Sequence, residues 1–314
     1  MRPDFMAGVH AWIPDGTLPQ HRALLPGSVT VHLVPADAAP LPDHLGTGQF
    51  LVAAFEPERL DQVIRRLDGL RVVQTMSAGV DHFAGRIPEG VTLCDGSGIH
   101  DVPVAEWVVM VVLASLHHLP GHLASQRDGA WRRPPDGGGD DLERTTVLIV
   151  GHGSIGRAVE ERMRPFGASF LRVAMHRREG VWPLDQLPSL LPQAGVVVIL
   201  VPLTEATRGL VDAKFLGAMQ QGALLVNASR GPIVDTEALY EALRARRVRA
   251  ALDVTDPEPL PAGDPLWSAP GLILTPHVAG SVSRRLDRSW ALIADQMTRF
   301  VEGAPLRNIV ADGY

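Results

Sequence analysis

Three polar residues follow apolar segments of the sequence, and together they could bind and protonate a substrate whose carbonyl group is reduced. They are Arg230 after Ala223–Val226, Glu258 after Ala250–Val254, and His277 after Leu272–Thr275. An arginine binds a carboxylate through two parallel N–H bonds and can polarise a neighbouring carbonyl. A histidine is suited to donate a proton near neutral pH, and a carboxylate beside it favours the protonated imidazole. The three residues therefore predict a site that binds and reduces a 2-keto acid.

A glycine-rich turn, residues 151–156, could hold the hydride donor for such a reaction. Its members are Gly151, His152, Gly153, Ser154, Ile155 and Gly156, between the apolar segment Val147–Val150 and a helical pattern over Ile155–Phe166. In dinucleotide-binding turns the glycines allow a tight turn, backbone approach to a pyrophosphate, and close helix packing. The helix N-terminus then attracts the anion. This context favours a dinucleotide site over the alternative, a strand–helix turn without a ligand.

The end of the next apolar segment, Phe170–Met175, bears on which dinucleotide is used. An acidic residue near this position binds the ribose hydroxyls of NAD, but here His176, Arg177 and Arg178 follow instead. Guanidinium groups pair with phosphate. The sequence therefore favours NADP(H) over NAD(H), the alternative being that Arg177 and Arg178 are solvated loop charges.

The elements that position these residues alternate between apolar strands and helical segments. The predicted strands are Val29–Val34, Phe50–Ala54, Arg71–Thr75, Val91–Cys94, Val147–Val150, Phe170–Met175, Val196–Val201, Ala223–Val226, Ala250–Val254 and Leu272–Thr275. The predicted helices are Glu58–Leu67, Asp101–Leu119, Ile155–Phe166, Ala213–Met219, Asp235–Arg246 and Arg284–Val301. This alternation is typical of parallel sheets, which bind ligands at the carboxyl ends of their strands.

Length and composition exclude several classes of protein. A chain of 314 residues favours two domains, and a formal net charge of −6 argues against a nucleic-acid partner. The only cysteine, Cys94, allows neither an intrachain disulfide nor a thiolate metal cluster, so we expect no metal and a cytoplasmic location. The longest apolar run, Trp107–Leu116, is too short for a membrane span. We expect the apolar helix from Asp101, buried all round, and the Pro/Gly-rich arm over Arg127–Asp141 to form a homodimer.

Short motifs in a fixed order identify a family that the sequence resembles. They are Ser77–Asp81, Val104–Glu106, the glycine-rich turn, Val201–Thr204, Asn227–Gly231, Leu252–Val254, Asp256–Pro259 and Thr275–His277. Almost from end to end, the chain resembles the D-isomer-specific 2-hydroxy acid dehydrogenases. Residues 252–260 look most similar to those of glyoxylate/hydroxypyruvate reductases. His152 is a departure, because an apolar residue is usual there, and an exposed histidine would be tolerated.

The resemblance implies a fold and a set of site residues. The fold is α/β, with two doubly wound parallel-sheet domains: a Rossmann cofactor domain (101–282) inserted into a flavodoxin-like substrate domain (1–100 and 283–314). Arg230, Glu258 and His277 would be catalytic, and backbone N–H groups around Ala78 and Gly79 would hold the substrate carboxylate. Asp253 would face the nicotinamide carboxamide. Further cofactor contacts are expected at Val201, Pro202, Thr207, Ala228, Ser229, His277 and Gly280.

The same architecture leaves two other functions open. One is an NAD(H)-sensing transcriptional corepressor, a binding module that can keep the same three polar residues. The other is a formate or phosphite dehydrogenase. Residues 256–260 favour the keto-acid reductases.

Overall fold

The computed structural model describes residues 8–35, 39–83, 85–133 and 138–310. The chain divides into two compact units, one from residues 1–100 and 283–314 and the other from residues 101–282. Each unit contains its own parallel sheet.

The first unit is built on a five-stranded sheet in the order β2-β1-β4-β6-β7, which is the flavodoxin-like order once a separate short pair, β3 and β5, is set aside. Its strands are β1 (Val9–Pro14), β2 (Val29–Val34), β3 (Gly46–Thr47), β4 (Phe50–Ala53), β5 (Leu67–Asp68), β6 (Val72–Thr75) and β7 (Thr92–Cys94). Its helices are α1 (Pro19–Arg22), α2 (Pro57–Ile64) and the C-terminal α9 (Arg285–Glu302). The predicted helix Glu58–Leu67 is too long, because Leu67 pairs with β3.

The second unit is a seven-stranded sheet in the order β10-β9-β8-β11-β12-β13-β14. Its strands are β8 (Thr146–Val150), β9 (Ser169–Ala174), β10 (Trp182–Pro183), β11 (Val196–Ile199), β12 (Leu224–Asn227), β13 (Arg249–Leu252) and β14 (Leu272–Leu274). Its helices are α3 (Asp101–Leu116), α4 (Leu119–Arg127), α5 (Ser154–Met163), α6 (Leu187–Leu190), α7 (Ala213–Ala218) and α8 (Thr236–Arg244). The strand order reverses between β8 and β11, where doubly wound sheets bind dinucleotides.

Both faces of this second sheet are buried, which explains why β8, β11 and β12 are apolar at almost every position. Val147 and Ile149 pack with α3 and α5 on one face, whereas Leu148 and Val150 pack toward α6, α7 and α8 on the other. Successive strand residues point to opposite faces, so a doubly covered strand has no polar face. The predicted fold class, a Rossmann unit and a second parallel α/β unit, is confirmed.

The helical segment that begins at Asp101 differs from the prediction. Helix α3 ends at Leu116, His118 takes a left-handed conformation (φ 52°), and α4 begins at Leu119. Pro120 therefore lies in the first turn of a new helix, where a proline costs no hydrogen bond. Glu106 and Met110 are exposed, so α3 is not buried all round. Part of the predicted arm, residues 134–137, lies outside the described residues.

The described residues contain no single helix that is long and apolar enough to cross a membrane. Helices α3 and α4, bent by 68°, reach the required length and composition only as a pair.

Candidate active site

The ends of three adjacent strands carry the three polar residues identified in the sequence. Arg230 follows β12, Glu258 follows β13 and His277 follows β14, and these strands are neighbours in the sheet. The glycine-rich turn follows β8 on the same edge, because all the strands are parallel. The sheet therefore gathers an arginine, a carboxylate and an imidazole at the edge where the turn opens.

His277 and Glu258 form a direct pair. The Nδ1 atom of His277 lies 2.5 Å from Oε1 of Glu258, and the two side chains are 50% and 39% exposed. The carboxylate oxygen accepts the Nδ1 proton, which fixes the orientation of the ring. The other ring nitrogen, Nε2, is then the one available to exchange a proton with a ligand.

The segment that carries His277 is fixed by a buried carboxylate. His277 has a left-handed backbone (φ 54°), and its N–H donates to the carbonyl oxygen of Asp253 at 2.7 Å. The Asp253 carboxylate, 3% exposed, accepts from the Thr275 hydroxyl at 2.6 Å and from the N–H groups of Val278 and Ala279 at 2.9 and 2.8 Å. A carboxylate has about four acceptor positions, so about one remains for the nicotinamide carboxamide expected here.

Arg230 lies in a loop that packs closely on the neighbouring strand connection. Its carbonyl oxygen accepts from the side-chain amide of Asn227 at 3.0 Å, and its Nη1 donates to the carbonyl of Ser229 at 2.9 Å. A Cβ on Gly231 would lie only 1.9 Å from the carbonyl oxygen of Thr255. This close approach brings the loop of Arg230 against the segment that leads to Glu258.

The other predicted cofactor contacts lie in the loops that follow β11, β12 and β14. The hydroxyl of Thr207 donates to the carbonyl of Pro202 at 2.6 Å, and the hydroxyl of Ser229 donates to the carbonyl of Val201. Ala228 directly follows β12, and Gly280 follows the segment held by Asp253. These hydrogen bonds fix the loops on the sheet edge.

The glycine-rich turn has the shape that a dinucleotide requires. Gly151 has φ 108°, and a Cβ there would lie 2.4 Å from the carbonyl carbon of Leu200. A Cβ on Gly156 would lie 2.5 Å from the carbonyl oxygen of Gly151, so α5 packs directly on the turn. A Cβ on Gly153 would meet nothing within 4 Å, and Gly153 is the N-cap of α5. The turn thus presents an open backbone at a helix N-terminus, which suits a pyrophosphate.

His152, inside this turn, is not the exposed side chain that the sequence would allow. It is 8% exposed, and its Nε2 donates to Oε2 of Glu160 at 2.9 Å. Its Nδ1 is buried without a hydrogen-bond partner among the described residues. Burial lowers the pKa of His152, partly offset by Glu160, so the neutral ring is favoured.

Glu160 is the centre of a buried charged cluster that the sequence did not predict. Oε1 accepts from Arg164 and Arg172, each at 2.5 Å, and Oε2 accepts from Arg172 at 2.6 Å and from His152. These bonds occupy about all four acceptor positions of the carboxylate. The hydrogen bond from Arg172 is the largest cause of a lowered Glu160 pKa, and the same bond raises the pKa of Arg172.

A cavity of about 290 Å³ lies beside the turn, where the ribose of a dinucleotide would be expected. It is lined by His152, Arg157, Arg172, Arg178, Glu179, Gly180 and Val181. Arg178 donates to the carbonyl of His152. Of the two arginines predicted to bind a 2′-phosphate, Arg178 lines the cavity and Arg177 does not, and His176 and Arg177 are exposed.

Ala78 and Gly79 belong to the first unit and lie in the loop after β6. Both are partly buried. The carbonyl of the preceding residue, Ser77, accepts from the Thr75 hydroxyl and from the Gly96 N–H, each at 2.7 Å. These bonds hold the backbone on which the predicted carboxylate site depends.

A doubly wound parallel sheet, a glycine cradle at its switch point and a proton-transfer pair on the same edge define a dinucleotide-dependent oxidoreductase. Comparison with known proteins agrees. Residues 109–279 match the family model described as D-isomer specific 2-hydroxyacid dehydrogenase, NAD binding domain. The chain belongs to this family of NAD(P)-dependent oxidoreductases, as the sequence motifs predicted.

Relatives within the family differ in substrate. The human glyoxylate reductase/hydroxypyruvate reductase is 32% identical over 76% of this chain and 76% of its own length. A formate dehydrogenase of Arabidopsis thaliana is 31% identical over 80% of this chain and 69% of its own. A solved NADPH-dependent glyoxylate/hydroxypyruvate reductase from Sinorhizobium meliloti, in complex with NADP and sulfate, has a TM-score of 0.81 at 26% identity and covers 98% of this chain and 100% of its own.

Proposed function

We propose that this enzyme reduces a small 2-keto acid of the glyoxylate or hydroxypyruvate type to the D-2-hydroxy acid, with NADPH as the preferred cofactor. The observation that carries the proposal is the 2.5 Å pair of His277 and Glu258, next to Arg230 on the edge where the glycine turn opens. Keto-acid reduction needs a cation for the carboxylate and an acid for the carbonyl oxygen, and this edge supplies both.

In this mechanism each residue has one task. Arg230 binds the substrate carboxylate and polarises the adjacent carbonyl. His277 donates a proton to the carbonyl oxygen through Nε2, while Glu258 holds Nδ1 and stabilises the imidazolium. When bound, a nicotinamide cofactor would supply the hydride. Asp253 fixes the backbone of His277.

Two observations support NADPH. No acidic residue ends β9, and Arg178 lines the cavity beside the glycine turn. A guanidinium group suits a 2′-phosphate better than a ribose hydroxyl. The Sinorhizobium meliloti enzyme of the same fold is NADPH-dependent, which is consistent with this preference.

The test is a comparison of kcat/KM for glyoxylate, hydroxypyruvate and formate, each with both cofactors. We expect turnover of a 2-keto acid, faster with NADPH, and none with formate. Arg230→Lys should lower kcat/KM by about 100-fold or more, because the planar fork is lost, with little change in cofactor affinity. Formate oxidation would assign the chain to the formate type, and cofactor binding without turnover would favour a corepressor-like sensor.

We further propose a cytoplasmic homodimer. The location is supported by the sole cysteine, Cys94, which is buried as a free thiol. The dimer is supported by exposed apolar side chains along the α3–α4 region, including Met110, Leu123 and Trp131. Cell fractionation tests the location, and the mass from light scattering tests the dimer.

A further inference from the structure

The cavity beside the glycine turn has walls from three parts of the second unit. His152 and Arg157 come from the turn and helix α5, Arg172 comes from β9, and Arg178 and Glu179 come from the segment after β9. Arg178 is fixed from two sides, because its side chain donates to the carbonyl of His152 and its backbone pairs with Val181. The arginine on this side of the cavity is therefore already held in place in this structure.

The charged groups of the cavity are not equally available to a ligand. Glu160 accepts two hydrogen bonds from Arg172, at 2.5 and 2.6 Å, so this guanidinium is already bound to a carboxylate, which it shares with Arg164. Arg157 is exposed, and no described residue forms a hydrogen bond or an ion pair with its side chain. Arg178 uses part of its guanidinium on the carbonyl of His152 and keeps further N–H donors. Among the described residues that line the cavity, Arg157 and Arg178 are thus the two cations left for an anion.

One group opposes them. The carboxylate of Glu179 lines the same cavity, and no described residue is paired with it. Arg157 and Arg178 still outnumber it, and His152 adds no charge because its neutral form is favoured. A phosphomonoester carries about −1.5 to −2 charge and three acceptor oxygens near pH 7, which matches two guanidinium groups. A ribose hydroxyl of NAD would instead be an adequate partner for Glu179.

We propose that Arg157 on α5 is a specificity-determining residue that clamps the 2′-phosphate of the cofactor together with Arg178, while Glu179 weakens the selection. This inference rests on the proposed use of NADPH. The sequence assigned the phosphate to the residues after β9 alone, but the cavity adds a cation from the facing helix. Because these two guanidinium groups lie on different elements, they select a phosphate by the spacing between them as well as by their charge.

The experiment measures the Kd of NADP⁺ and NAD⁺ by calorimetry at fixed ionic strength, for the wild type and for Arg157→Gln. Arg162→Gln is the matched control, because Arg162 lies on the same helix, bonds only to the carbonyl of Ala158 and does not line the cavity. Arg157→Gln should weaken NADP⁺ by about 10-fold or more and leave NAD⁺ within about twofold. Arg162→Gln should change neither by more than about twofold.

Other outcomes separate this inference from the proposed function. A wild type that prefers NADP⁺, combined with an Arg157→Gln variant that behaves like the control or weakens both cofactors equally, would overturn the role of Arg157 and leave NADPH use intact. A wild type that binds both cofactors equally would overturn the NADPH preference and this inference with it. Glu179→Gln should tighten NADP⁺, by about threefold for one exposed opposing charge. Weaker NADP⁺ binding in that variant would contradict the clamp.

Discussion

At the residue scale, the two members of the His277–Glu258 pair have different roles: His277 donates the proton, and Glu258 orients the ring of His277. His277→Ala removes the donor and should lower kcat/KM for hydroxypyruvate by about 10²–10⁴-fold, the usual contribution of general acid catalysis. Glu258→Gln keeps an acceptor oxygen near Nδ1 but removes the negative charge, so we expect a smaller decrease in kcat/KM than for His277→Ala. Both variants should bind NADPH as the wild type does. Steady-state kinetics and cofactor titration check this, and near-normal turnover of His277→Ala would assign the proton to another donor.

The buried cluster around Glu160 predicts a stability that falls in acid. The pKa of His152 is lowered in the fold by burial, so below about pH 6.5 the unfolded chain binds the proton first and folding loses stability. The pKa of Glu160 is lowered, mainly by Arg172, so its contribution is present above about pH 4.5 and is lost as pH falls through the folded value. Urea unfolding between pH 8 and about pH 3 measures both.

A His152→Leu variant isolates the first of these contributions. Leucine fits the apolar character usual at this position and cannot bind a proton, so the difference in free energy of unfolding between variant and wild type should change between pH 8 and pH 5 in the variant's favour. Glu160→Gln should cost about 2–3 kcal/mol at pH 7, less than the about 3–5 kcal/mol of a fully buried pair, because Arg172 and Arg164 are partly solvated. A pH-independent difference for His152→Leu would show that the pKa of His152 is not lowered in the fold.

At the scale of elements, the β8–α5 turn contains two glycines with different roles. We expect Gly151 to be needed for folding and Gly153 for dinucleotide binding. Gly151→Ala should destabilise the fold by about 2–6 kcal/mol, combining about 1–3 for its backbone conformation and about 1–3 for contact with Leu200. Gly153→Ala meets nothing within 4 Å and has a negative φ, so its melting temperature should stay within a few degrees. Gly153→Ala should nevertheless weaken dinucleotide binding, measured by calorimetry. Unchanged binding would place the pyrophosphate elsewhere.

The elements also show how far sequence reasoning extends. Strands β8, β11 and β12 are apolar at almost every position because both sheet faces are covered, so their ends, and the polar residues after them, could be predicted. Strand β1 could not be predicted, because His10 and Pro14 interrupt its apolar pattern, although it lies inside the sheet between β2 and β4. The bend between α3 and α4 depends on the left-handed conformation of His118, which no residue-type preference requires.

The polar interior of the second unit could not be predicted for a different reason. Arg157, Glu160 and Arg172 look like ordinary surface charges in the sequence, since one amphipathic helix and one strand carry them. Only the packing of α5 against β9 brings Glu160 to Arg172 and places Arg157 over the cavity. His152 is buried for the same reason, because Glu160 supplies the partner that a buried imidazole needs.

At the scale of the whole molecule, the exposed apolar side chains of the α3–α4 region predict self-association. Met110, Leu119 and Leu123 are 52%, 46% and 47% exposed, and Trp131 is 94% exposed. An isologous two-fold interface uses the same surface on both subunits, so one substitution removes its contacts twice. We expect light scattering to give twice the chain mass of 33.8 kDa at micromolar concentration.

The variant Met110→Asp with Leu123→Asp should shift this mass toward the monomer, because each subunit would then bury two unpaired charges. Leu24→Asp is the matched control, since Leu24 is 51% exposed in the other unit and should leave the dimer intact. Thermal unfolding should depend on protein concentration in the wild type and in the control, since association stabilises the folded state by mass action. It should lose that dependence in the double variant. A wild-type mass near 34 kDa would contradict the dimer. A double variant that stays dimeric would show that the subunits associate through another surface.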